Sequence, residues 1–281
     1  MPNIAGPYFQ SLMIALVFLH SACAQDRASS DSGASQRLVI DAHGAIIRGD
    51  VSKKQIALVF TGDEFADGGN EIRKCLRRNN IKGSFFLTGN FYKNPAFSGL
   101  IKDLKKDGHY LGAHSDKHLL YADWTKRDSL LVSRKQFTED LLENYKHMER
   151  FGVKPSDALY FIPPFEWYNS TIAQWTSELG FRLINFSPGT RSAADYTYPE
   201  MGDRYLSSDD IYRSVIQREE TDPHGLNGFI LLVHIGTDPR RKDKFYNRLD
   251  DLVAALKSRH YTFVSITELL NHTGIGANNR K

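Results

Sequence analysis

The chain has 281 residues, 41% hydrophobic and 25% charged with both signs interspersed, which suits one globular domain with a sizeable core, or at most two small ones. A net charge of +3 is too small to argue for nucleic acid, and 12% aromatic residues suit a carbohydrate or small-molecule cleft equally well. Only Cys23 and Cys75 occur, so no internal disulfide framework is expected once the N-terminus is processed.

Leu12 to Leu19 form an unbroken apolar run, too short to span a bilayer but suited to the apolar part of an export signal at 1–24. Ala22 and Ala24 supply the small residues a signal peptidase reads, with cleavage before Gln25. Alternatively, Ser21-Ala22-Cys23 resembles the end of a bacterial lipobox, with Cys23 as a lipid-bearing N-terminus. Against that, His20 takes the slot where the pattern has leucine, and no Lys or Arg precedes the run. Either way the protein is expected outside the cytoplasm: periplasmic, a cell-surface lipoprotein or secreted. Membrane contact is expected only through an anchor at Cys23.

Residues 25–36, rich in Ser, Asp and Gly, read as a disordered tether. Residues 37–54 hold two short apolar runs around His43-Gly44, a small β-hairpin. From 55 to 270 strands and helices alternate, and 271–281 reads as a frayed tail. Strands are expected at Ile56–Thr61, Gly83–Thr88, Tyr110–His114, Ala158–Pro163, Phe181–Phe186, Phe229–His234 and Tyr261–Ile266, because continuous short apolar runs suit buried parallel strands. Amphipathic helices are expected at Glu71–Asn79, Phe97–Asp107, Ser129–Phe151, Thr171–Leu179, Asp209–Glu219 and Tyr246–Arg259. The basic runs around Arg73 to Arg78 and Lys102 to Lys106 read as solvated helix faces, and Cys75 as a packed thiol. The fold class is α/β: a distorted (β/α) barrel of about seven parallel strands in a single domain, with an open doubly wound sheet as the alternative.

His114 and His118 share one face if the chain turns helical there, and two neutral imidazoles can grip a divalent ion. Spacing alone is weak. In β/α barrels, however, functional residues collect where strands end, and the expected strands end at Asp63-Glu64, His114, Pro163-Pro164 and His234. Residues distant in sequence therefore meet on one rim. Phe165-Glu166-Trp167 after Pro164 adds aromatic rings and a carboxylate suited to sugar faces and hydroxyls.

From about Gln55 to Leu270 the chain resembles the polysaccharide deacetylase family, carbohydrate esterase family four. The resemblance rests on Phe60-Thr61-Gly62-Asp63-Glu64, His114-Ser115-Asp116-Lys117-His118, Ile162-Pro163-Pro164-Phe165, Leu232-Val233-His234 and the Gly83-Ser84-Phe85-Phe86 strand. It implies that His114, His118 and an aspartate hold a divalent metal, zinc first and cobalt or nickel as alternatives. Such a metal polarises an N-acetyl carbonyl and activates water. It also implies that His234 is the general acid.

Two departures stand out. Thr61 occupies the place of the family's base aspartate, and Ile162 that of the arginine paired with it. The two read as a coupled loss, since removing one partner of a buried ion pair costs roughly 3–5 kcal/mol whereas removing both can be neutral. Gly62 suits a bulge that would bring Asp63 to the metal. The base is then open between the metal alone, Glu64, Asp67 and Glu166, with Glu64 taken as catalytic alongside His234. Pro164, Phe165, Glu166 and Trp167 are taken as substrate contacts. Asp195 is the first carboxylate after the poorly matched fourth motif, and Asp238 is a candidate to orient His234. The expected function is release of acetyl groups from N- or O-acetylated oligo- or polysaccharide. The alternative is a sugar-binding protein on the same fold that has lost its base.

Overall fold

The computed structural model describes residues 38–271. The expected export segment, Cys23, the tether and the tail beyond residue 271 lie outside the described residues.

The strands are β1 (Val39–Ile40), β2 (Ile46–Arg48), β3 (Gln55–Gly62), β4 (Ser84–Leu87), β5 (Tyr110–Ala113), β6 (Tyr160–Phe161), β7 (Arg182–Leu183), β8 (Phe229–His234) and β9 (Thr262–Val264). The helices are α1 (Gly69–Arg78), α2 (Gly89–Lys93), α3 (Ser98–Lys106), α4 (Arg134–Glu149), α5 (Ser170–Glu178), α6 (Ser208–Thr221), α7 (Leu249–Ser258) and α8 (Ile266–Leu270). One sheet runs in the order β1-β2-β8-β3-β4-β5-β6-β7, with β9 also on β3. The seven strands from β3 to β9 pair in parallel, as expected. A parallel bridge between Ile46 and Ile184, just past β7, joins the two ends of the curled sheet. Asn185 N donates to Ile46 O at 3.0 Å and Ser187 bonds both Ile47 O and Ile230 N, so the expected barrel is closed along this short seam.

Alternation along the strands sorts the core into two layers. On β3, Ile56, Leu58 and Phe60 pack outward beneath the helices, while Ala57 and Val59 join an inner cluster with Phe86, Ile162, Ile230 and Leu232. α8 adds Ile266, Leu269 and Leu270 to that inner cluster. Polar residues follow the ends of β3, β4, β5, β6 and β8, above this apolar interior.

The hairpin β1–β2 is part of the barrel wall, because β2 pairs antiparallel with β8. Strand β6 stops at Phe161, since Pro163 and Pro164 have no N–H to give a ladder. The helix expected from Ser129 begins at Arg134, where Ser133 and Gln136 form a capping box. The first turn of the helix expected from Tyr246 is a separate 3-10 turn, Phe245–Arg248.

Candidate active site

His114 follows β5. Its Nδ1–H donates to the Ile162 carbonyl at 2.8 Å, and because a carbonyl only accepts, Nε2 is left with its lone pair. Burial, reinforced by His118 and His234, holds its pKa well below the usual histidine value, so the ring is neutral.

The segment to His118 is not helical. Ser115 and His118 are left-handed, at φ 73° and 56°, and the chain turns as a loop instead. Asp140 of α4 determines this: its carboxylate accepts from Lys117 N at 2.9 Å and from the Tyr121 hydroxyl at 2.6 Å, while its carbonyl accepts from Asp116 N. Ser115 Oγ accepts from His118 N. Gly89 supports the same loop from α2, where a Cβ would sit 1.7 Å from Asp116 Oδ1. The two imidazoles still meet, with ring centroids 5.1 Å apart.

The register of β3 on β4 is regular through Gly62, so the expected bulge is absent. A Cβ on Gly62 would lie 2.5 Å from Ile235 Cγ2, on the helix side of the sheet. Simple alternation then returns Asp63 to the Thr61 side. Asp63 Oδ2 stands 3.9 Å from His118 Nδ1, and its Oδ1 accepts from Thr88 Oγ1 at 2.7 Å and Asn90 Nδ2 at 3.2 Å. Burial lowers the His118 pKa, with Asp63 opposing.

Across the rim, β8 ends at His234. Asp195, 1% exposed in the 3-10 turn Ser192–Tyr196, accepts from His234 Nδ1 at 2.6 Å and from its backbone N at 2.9 Å. Burial acts to lower the ring's pKa, but the Asp195 carboxylate, helped by Glu166, overrides it and raises the value above 6.5. Asp238 does not orient His234: it forms a fork with Arg240, which holds its carboxyl down at about 2.

Phe165 and Glu166 lie in the 3-10 turn after β6, both left-handed at φ 59° and 52°. Two adjacent non-glycine residues in that region cost roughly 1–3 kcal/mol each, strain that clusters at working sites. The turn points Phe165 at His118, with centroids 4.4 Å apart. The Glu166 carboxylate is half-buried and has neither a hydrogen bond nor an ion pair among the described residues. Burial pushes its pKa up to about 7, with His234 opposing and Asp195 reinforcing.

Glu64 is exposed and forms no hydrogen bond or ion pair to this group. It lines a separate cavity of about 680 Å³ with Phe65, Asp67, Phe97 and Arg241. Asp67 is taken up by Lys244 at 2.8 Å, Thr237 N and the Tyr246 hydroxyl. Pro164, the first residue of the turn, is buried, and Trp167 Nε1 donates to Asp123 O at 3.2 Å.

Two neutral imidazoles and a carboxylate fit, in chemical kind, a divalent ion in a catalytic rather than a structural site. The Ile162 carbonyl on His114 Nδ1 is the outer contact that orients such a ligand. Among the described residues no three His, Cys, Asp or Glu side chains already form a closed cage.

Residues 48–184 match the family model for polysaccharide deacetylase. That stretch is a polysaccharide deacetylase domain. The chain is 24% identical over 241 residues to the peptidoglycan-N-acetylmuramic acid deacetylase PdaA of Bacillus subtilis, covering 85% of this chain and 80% of that one. Its fold is similar to that of a carbohydrate esterase family 4 pseudoenzyme from Bacillus anthracis, with a TM-score of 0.63 at 19% identity over 82% of this chain and 70% of the other. It is likewise similar to an acetyl xylan esterase from Clostridium thermocellum solved with a cobalt ion, with a TM-score of 0.58 at 21% identity over 76% and 89%.

In this chain the two departures both lie in the barrel interior. Thr61 pairs in register with His234, is 1% exposed, and leaves its Oγ1 without a partner. Ile162 is fully buried in the inner cluster. The orienting role of Asp195 lay outside the motif reading, since a 3-10 turn far along the chain carries it to β8. Its only sequence signal is its rank as the first carboxylate after the fourth motif.

Proposed function

We propose that this protein hydrolyses acetyl groups on N-acetylated carbohydrate, and on O-acetylated carbohydrate as a second class, outside the cytoplasm. What carries the reading is the Asp195–His234 pair on the same rim as His114 and His118, with an unpartnered Glu166 carboxylate in reach of its charge. A divalent ion held by Asp63, His114 and His118, with zinc first and cobalt or nickel as alternatives, would supply Lewis acidity at the acetyl carbonyl.

In this scheme Glu166 replaces Glu64 as the base. Its carboxylate takes a proton from the attacking water, whose oxygen bonds to the acetyl carbon. His234, held by Asp195, gives its proton to the leaving nitrogen as the C–N bond breaks. Acetate and the free amino sugar result. A base with pKa near 7 suits a neutral operating pH.

A second reading keeps the fold for binding alone. Thr61 and Ile162 favour it, because the interior then lacks the acid–arginine pair the family places there. Acetate release from acetylated oligosaccharides, with zinc or cobalt restored, separates the two. Wild type is expected to release acetate and His114→Ala to lose most of it; glycan binding with equally little release from both proteins supports the second reading.

A further inference from the structure

The loop after His118 carries a residue that neither the family motifs nor the acid–base scheme uses. Trp124 is 55% exposed, unusual for an indole with apolar neighbours at hand. It stands edge-on to Phe165 at 5.7 Å and lies beside Trp167 at 5.2 Å. Phe165, itself 42% exposed, touches His118. A chain of rings therefore runs from the candidate metal ligand out to an open indole.

The loop is fixed, not floppy. Asp123 Oδ1 accepts from Thr125 N at 2.8 Å and Lys126 N at 2.7 Å, and Ala122 bridges Leu130. Trp167 Nε1 donates to Asp123 O, and Arg127 Nε donates to Tyr168 O at 2.7 Å. The Arg127 guanidinium lies 4.0 Å from the Trp167 ring centroid, holding that ring in turn. Ordering costs that would oppose binding are thus met in the free protein.

We propose that Trp124, with Phe165, forms a stacking subsite for the sugar unit next to the one being deacetylated, so that the site reads a glycan chain and not a single sugar. This rests on the carbohydrate reading above. The occupant is a pyranose because the platform reaches His118 through Phe165, and because its apolar rings suit sugar faces while Arg127 over Trp167, and Glu166 next to Phe165 in the chain, suit hydroxyls.

The test is calorimetric titration of N-acetylglucosamine oligomers of one to four units into the folded protein carrying His234→Ala, which blocks turnover. Affinity is expected to rise with length. Trp124→Ala should weaken the tetramer by about 2- to 10-fold while flattening the dependence on length, and Trp124→Phe should restore part of it. Equal affinity at every length, equal weakening of monomer and tetramer by Trp124→Ala, or no binding at all overturns the proposal. Length-dependent binding that needs Trp124, in a wild type that releases no acetate, upholds this subsite and rejects the hydrolytic reading.

Discussion

Glu166 and His234 are pushed in the same direction by different forces. Burial raises the glutamate to about 7, and Asp195 raises the histidine despite burial. In the proposed reaction Glu166 must be ionised and His234 protonated. Activity therefore climbs as pH rises through about 7 and falls again as His234 loses its proton, at a pH above the ordinary histidine range. Because the two groups feel one another, the limbs belong to the pair. Glu166→Gln is expected to lower kcat by about 10²–10⁴-fold and to remove the acidic limb. Asp195→Asn should shift the alkaline limb to lower pH, since it removes what raises His234. A Glu166→Gln profile that keeps both limbs assigns the base elsewhere.

At the scale of elements, the strand ends were legible and the turns after them were not. Continuous apolar runs gave β3, β5 and β8 within a residue or two, which placed Asp63, His114 and His118 close together and His234 on the same rim. Helical spacing misled at His114-His118, because Asp140, from a helix about twenty residues later, dictates a loop. The bulge at Gly62 failed for a similar reason: the glycine answers crowding by Ile235 and Leu87, which only the packed sheet reveals. Glu166 was visible as a rim carboxylate, but its inward turn depends on left-handed backbone that nothing in the local sequence demands. The coupled change at Thr61 and Ile162 is an element-level matter too, since both lie inside the barrel, one on β3 and the other just past β6. Thr61→Asp alone should destabilise by roughly 3–5 kcal/mol as an unpaired buried charge. Adding Ile162→Arg should recover part of that, with a coupling of about 0.5–3 kcal/mol in denaturant unfolding. Strict additivity of the two changes denies the coupling.

For the whole molecule, seven parallel strands curled until Ile46 meets Ile184 put every strand end of consequence on one rim. That much followed from the strand–helix alternation and from where polar residues interrupt it. The closure itself did not, because it depends on a hairpin strand joining β8 in the opposite direction. The same architecture serves the acetyl hydrolysis proposed here and the binding-only alternative, so fold alone does not choose between them. The choice lies in whether His234 moves a proton. Acetate release from N-acetylglucosamine oligomers by the metal-restored wild type and by His234→Ala measures this directly. Steady release is expected from the wild type, with a loss of about 10²–10⁴-fold in the variant. Equal release from the two proteins would contradict a proton transfer from His234.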